Sequence, residues 1–167
     1  MAGGSEPHSL ISVNLIGELR NRLKGNPCAV YDPNMRLKVM ATGLRTYPDA
    51  SVYCGGREYD SEDMFRLTLT NPTFIFEVLS LSTEVYDRGM KASHYRRIES
   101  LKALVLGSQD MPRVEVYCRQ GDGTWALREL EGLSEALKLP MIGVELPLSE
   151  IFDRVDFSTR GTLDLLD

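Results

Sequence analysis

The chain has 167 residues, 43% hydrophobic and 26% charged, a globular composition long enough to bury a core and unlike that of a disordered chain. No apolar run approaches the roughly 20 residues that cross a bilayer. The opening MAGGSEPHS has no basic region leading into an apolar stretch, as a secretory signal would.

The net charge of −5 counts against nucleic acid in bulk. It is unevenly spread, however. Residues 129–167 hold nine acids and three bases, whereas the preceding residues hold 15 acids and 16 bases. Between Arg88 and Lys102, five bases (Arg88, Lys91, Arg96, Arg97, Lys102) face one acid, Glu99. That is either a basic face or the solvated surface of a helix. Cys28, Cys54 and Cys118 form no CxxC pair and are odd in number. A disulfide framework and a zinc knuckle are not expected. Each cysteine should pack as a small hydrophobe, and a reducing cytoplasm is the default location.

In chain order, Ile11, Leu15, Leu19 and Leu23 recur every four residues and predict an amphipathic helix over Leu10–Lys24, stopped by Gly25-Asn26-Pro27. Cys28–Asp32 and Met35–Met40 read as a hairpin about Pro33-Asn34. Ala50–Cys54 is a third strand, ended by Gly55-Gly56, and Arg57–Asp63 is a loop. Thr73–Leu79 (TFIFEVL) is apolar and β-prone throughout, the pattern of a strand buried on both faces. A helix from Glu84 or Asp87 to Ile98 follows, then strands over Leu101–Gly107, Arg113–Arg119 and Trp125–Leu130. A short helix over Leu148–Arg154 precedes a loose tail. A helix linking two apolar strands implies a crossover within a mixed sheet. The fold class is therefore α/β (α+β), one domain with helices against a mixed central β-sheet.

Glu77 is anomalous, a carboxylate in the middle of the most apolar strand, where it needs a cation, a hydrogen-bond network or an open cleft. Asp49 follows Pro48 at the mouth of the Ala50–Cys54 strand. Two carboxylates on neighbouring strands can hold one hard cation such as Mg²⁺. Asp87, Lys91 and Tyr95 fall at i, i+4 and i+8, one helical face. An ammonium there could orient a water or stabilise a phosphate. Ordinary readings stand beside these: Asp49 in a turn, Asp87 as a helix N-cap, Lys91 in solvent, Glu77 in a buried ion pair, Tyr95 as a packed aromatic. Spacing alone favours each of these ordinary readings over catalysis. A Cys54 nucleophile would have no histidine near it in sequence.

The stretches TYPDASVYCG, LTNPTFIFEVLSLSTEVYDRGMKASHYRRI, PHSLISVNLIGELRNRL, QDMPRVEVYCRQGDGTW and IGVELPLSEIFD resemble the Uma-type family of restriction-endonuclease-like proteins. The resemblance runs from about His8 to Asp153. It implies a PD-(D/E)xK nuclease fold, with Pro48-Asp49 as the PD. Leu79 stands where the lysine of (D/E)xK would be, and the family pattern supplies the lysine from the next helix, at Lys91. It further implies that Asp49, Glu77 and the Val78 carbonyl hold the metal. Ser82-Thr83 and Asp87 would be the turn and cap that aim the helix, and Ser80-Leu81-Ser82-Thr83 replaces the usual Ser-Pro-Ser-Thr. His8 matches a histidine common ahead of the first helix, with a site, capping or surface role left open. Glu18 is a helix glutamate that could reach the metal or lie in solvent. Relatives commonly carry a further acidic, strand-like segment before this point. Its absence would bear on activity rather than fold.

The expectation is thus a Mg²⁺-dependent endonuclease, with Mn²⁺ as a substitute metal, acting on DNA as a homodimer through Asp49, Glu77 and Lys91. Lys91→Ala should abolish cleavage and leave metal affinity and melting temperature nearly unchanged. The rival is a non-enzymatic interaction protein that keeps the nuclease fold.

Overall fold

In the computed structural model, which describes residues 4–158, Ser5 caps the first helix, α1 (Glu6–Arg22). Its hydroxyl accepts a hydrogen bond from the His8 amide, and Pro7 sits in the first turn, where a missing N–H is tolerated. The helix therefore starts four residues before the sequence expectation, and His8 lies inside its first turn. Ile11, Leu15 and Leu19 are its buried stripe.

Six strands form the main sheet: β1 (Cys28–Tyr31), β4 (Ala50–Cys54), β6 (Phe74–Leu79), β7 (Ala103–Ser108), β8 (Arg113–Arg119) and β9 (Trp125–Glu131), in the order β1-β4-β6-β7-β8-β9. Only β6 and β7 run parallel; the other neighbours are antiparallel. The β6–β7 crossover is a helical segment in three parts: α2 (Glu84–Tyr86), a π-helical stretch over Asp87–Lys91, and α3 (Ala92–Tyr95).

Every residue of β6 is buried, because the sheet is covered on both faces. On one face, α1 packs Ile11, Leu15 and Leu19 with Val52, Phe74, Phe76 and Val105. On the other, Ala92, Tyr95 and Ile98 pack with Ile75, Leu79, Leu104 and Leu106. A hairpin of β10 (Ala136–Leu139) and β11 (Val144–Pro147), followed by α4 (Leu148–Ile151), closes the α1 layer. The chain from Arg154 to Ser158 adds no helix or strand, and the rest of the expected tail lies outside the described residues.

Two expectations are corrected. Cys28–Asp32 and Met35–Met40 do not form a hairpin. The turn at Pro33-Asn34 exists, with the Met35 amide bonded to the Asp32 carbonyl. The chain beyond it leaves the main sheet, however: β2 (Arg36–Lys38) joins a small sheet with β3 (Arg45–Thr46) and β5 (Thr68–Leu69), while β1 pairs with β4. Lys38 draws β2 there, since its buried ammonium bonds Asp60 and Glu62 in the expected loop. Second, the cysteines are not all free. Cys28 and Cys54 are cross-strand partners in the β1–β4 register and form a disulfide, leaving Cys118 as the free thiol among the described residues. Cys54 thus has no thiolate to act as a nucleophile.

Candidate active site

The site lies where β4 begins and β6 ends. Ala50 pairs with Phe76, so Asp49 stands beside Glu77, one residue beyond the ladder. The Asp49 carboxylate accepts the Val78 N–H at Oδ2, 2.7 Å away, and the Asp49 amide points at Glu77 Oε2 at 3.4 Å. The charge on Asp49 disfavours charge on Glu77 beside it.

Glu77 is 4% exposed and already has partners. Its Oε1 accepts the Tyr95 hydroxyl at 2.6 Å and lies 2.7 Å from Lys91 Nζ. Asp87 Oδ1 is 3.6 Å from the same ammonium. Asp87, Lys91 and Tyr95 therefore line one side of the crossover, as their spacing indicates. The π-helical stretch over Asp87–Lys91 is the backbone feature that the periodicity did not show; such stretches are frequent at functional sites. Asp87 is buried mid-helix and is not the cap. That position belongs to Thr83, while Ser80 closes the preceding turn by bonding Ser82 and Thr83.

His8 also belongs to the site. Its Nε2 is 3.3 Å from Asp49 Oδ2. Glu18 does not belong: it pairs with Arg22, which also reaches Glu150 and the Glu145 carbonyl on the far part of α1.

The electrostatics follow from burial and pairing. Burial pushes the Glu77 carboxyl up to about 7, helped by the Asp49 charge and opposed by Lys91. Burial works against charge on Asp49 too, but the His8 contact and the Val78 amide outweigh it and hold Asp49 below the usual range. The His8 imidazole is raised, first by its bond to Asp49. Burial opposes the Lys91 ammonium, yet Glu77 and Asp87 raise it above its ordinary value. Tyr95 is lifted well above its ordinary value by burial and stays a proton donor to Glu77.

A hard cation fits this donor set by its chemistry: two carboxylates and one peptide carbonyl, all oxygen. Asp49 Oδ2 and Glu77 Oε1 take the short bonds from the protein, so Asp49 Oδ1 and Glu77 Oε2, the latter reached by the Asp49 amide at 3.4 Å, are the oxygens to offer. Among the described residues, no three His, Cys, Asp or Glu side chains form a metal-holding group. A bound ion would therefore keep much of its own water, as Mg²⁺ does.

The bases that left a basic face possible are largely paired. Arg88 is tied to Glu84 and Glu115, Lys91 to Glu77, and Arg96 lies over the Tyr117 ring. Sequence reasoning missed the link that brings α1 to the site, a Ser5 hydroxyl bond to the Gln109 side chain just after β7. The Ser5-Glu6-Pro7 start signal was the available clue.

The mixed sheet with a crossover helix over paired strand-end carboxylates is a restriction-endonuclease-like core. It aligns with the crystal structure of a protein described as a putative nuclease belonging to DUF820, from Anabaena variabilis ATCC 29413. The TM-score is 0.72 over 89% of this chain and 82% of that one, at 17% identity. The chain belongs to the Uma2 family, described as "Putative restriction endonuclease", whose model matches residues 1–149. It is also similar to two uncharacterized proteins of Synechocystis sp. (strain ATCC 27184 / PCC 6803 / Kazusa). With slr1290 it is 33% identical over 157 residues, 94% of this chain and 80% of that protein. With sll1609 it is 33% identical over 132 residues, 79% of this chain and 73% of that protein.

Proposed function

We propose that the protein is a metal-dependent endonuclease that hydrolyses DNA phosphodiester bonds. The observation that carries this is the meeting of Asp49, Glu77 and Lys91 where β4 begins and β6 ends, with Lys91 supplying the ammonium that Leu79 cannot. Family membership and the nuclease description of the structural neighbour support the same reading.

Asp49, Glu77 and the Val78 carbonyl would hold Mg²⁺, or Mn²⁺ in its place. When bound, the ion supplies Lewis-acid polarisation of the phosphate and acidifies water. The chain's own groups do the rest. Tyr95 and Lys91 fix Glu77 in one rotamer, so its carboxylate needs little reorganisation. The Lys91 ammonium offsets negative charge that develops on the phosphate as a water oxygen bonds phosphorus and the bond to the sugar oxygen breaks. Hydrolysis returns one phosphate monoester and one hydroxyl.

The partners follow as part of the proposal. DNA is the substrate, and a two-fold homodimer would place two sites for double-strand cleavage. Light scattering should give about twice the 18.7 kDa chain mass. Among the described residues no helix is long and apolar enough to cross a membrane. A cytoplasmic location stays part of the proposal, although two of the three thiols that suggested it are joined.

The deciding experiment is nicking of supercoiled plasmid with Mg²⁺, with Mn²⁺ and with chelator. Metal-dependent nicking that Asp49→Ala and Glu77→Ala both lose supports the reading; metal-independent or absent nicking sinks it. One observation favours the rival interaction protein: each carboxylate is already satisfied by protein groups, Glu77 by Lys91 and Tyr95, Asp49 by His8 and Val78. Calorimetry that detects no Mg²⁺ or Mn²⁺ binding would select it.

A further inference from the structure

The start of α1 is fastened beside the catalytic strand ends of the sheet from two directions. Ser5 receives the His8 amide and bonds the side chain of Gln109, itself 4% exposed. Gln109 follows Ser108, and Ser108 is the register partner of Leu79 at the end of β6. The Ser12 hydroxyl holds the His8 carbonyl at 2.8 Å. The imidazole is thus delivered by a fixed backbone, not by a loose terminus. Its Nε2 meets Asp49 Oδ2 at 3.3 Å, the oxygen that also takes the Val78 N–H at 2.7 Å.

A carboxylate on a short side chain turns readily about its last bond. Two donors on one oxygen remove that freedom and leave the other oxygen as the presented one. We propose that His8 is a positioning residue that sets the Asp49 carboxylate for cation binding, without itself being a ligand. Partners that orient ligands in this way typically matter by about 10- to 100-fold in metal affinity. The inference rests on the metal-dependent reading above.

The test uses the full chain and Mn²⁺ alone. Mn²⁺ affinity is measured by calorimetry, and melting temperature in chelator, for the parent, His8→Ala, His8→Gln and Asp49→Asn. His8→Ala should weaken Mn²⁺ binding about 10- to 100-fold. His8→Gln, whose amide nitrogen takes the place of Nε2, should recover most of it. A role confined to holding α1 in place would make affinity follow melting temperature, with no rescue by glutamine. If His8→Ala binds Mn²⁺ as the parent does while Asp49→Asn has lost it, the positioning role is wrong and the metal site stands. The positioning role is equally wrong if His8→Gln is as weak as His8→Ala. If the parent does not bind Mn²⁺, or Asp49→Asn binds it unchanged, the metal reading fails and takes this inference with it.

Discussion

Lys91 Nζ sits 2.7 Å from Glu77 Oε1, so the ammonium of the crossover helix closes over a carboxylate on a fully buried strand. Asp87, one turn earlier, and the Tyr95 ring, 5.8 Å from the ammonium, flank it. Removing one member of such a buried pair leaves the other without its counter-charge, a cost of several kcal/mol. The pair is therefore a structural element as well as a candidate catalytic one.

That changes what Lys91→Ala should do. Cleavage should be lost and metal affinity largely kept, as the sequence implied, but stability should not be preserved. Urea unfolding at pH 8 should show a loss of about 3 kcal/mol. The loss should be smaller at pH 5, where Glu77, with its carboxyl near 7, is already neutral. Cleavage at the parental rate would end the migrated-lysine mechanism.

Metal binding should release a proton. With Glu77 near 7, binding at pH 6 must expel the proton that the buried carboxyl carries, while binding at pH 8 finds it ionised. Affinity should climb roughly tenfold per pH unit below 7 and level off above. Calorimetry in buffers of different ionisation enthalpy measures the released proton directly. No difference between pH 6 and pH 8 would show that Glu77 is ordinary.

The His8–Asp49 pair should stabilise the fold only within a pH window. Asp49 is held below its ordinary value of 3.8, so its contribution is present above that value and lost as pH falls through the native one. His8 is raised above 6.5, so its contribution is full below 6.5 and lost as pH rises through the native value. The parent's stability advantage over His8→Gln should therefore be largest between about pH 4 and pH 6.5. Unfolding curves across pH 3–9 check this, and an advantage that keeps growing to pH 9 would refute the pairing.

Reduction should destabilise the protein. The Cys28–Cys54 bridge spans 26 residues, and closing a loop of that length is worth about 3–4 kcal/mol through the unfolded chain. Dithiothreitol and the Cys28→Ala/Cys54→Ala variant should lower the urea midpoint alike, and Cys118→Ala should not. An unchanged midpoint under reductant would show that the bridge contributes nothing.

The sequence by itself determined the elements whose cause is local. TFIFEVL is apolar on both alternations, so β6 had to be a central strand and Glu77 had to be exceptional. Pro48 fixed the entry of Asp49, and the four-residue spacing of Asp87, Lys91 and Tyr95 put them on one helical side. What only the tertiary structure decided is everything that depends on which distant segment lies alongside. Periodicity reports how a residue is buried, not by what. A hairpin between β1 and β2 was compatible with their patterns, yet pairing with β4 gave β1 a disulfide partner, and the buried Lys38 committed β2 to the acidic loop. His8 and Glu18 both sit on α1 and both were open candidates. The fastening of Ser5 to Gln109 brings the first turn to Asp49, while Glu18, nearly three turns on, is carried away to Arg22.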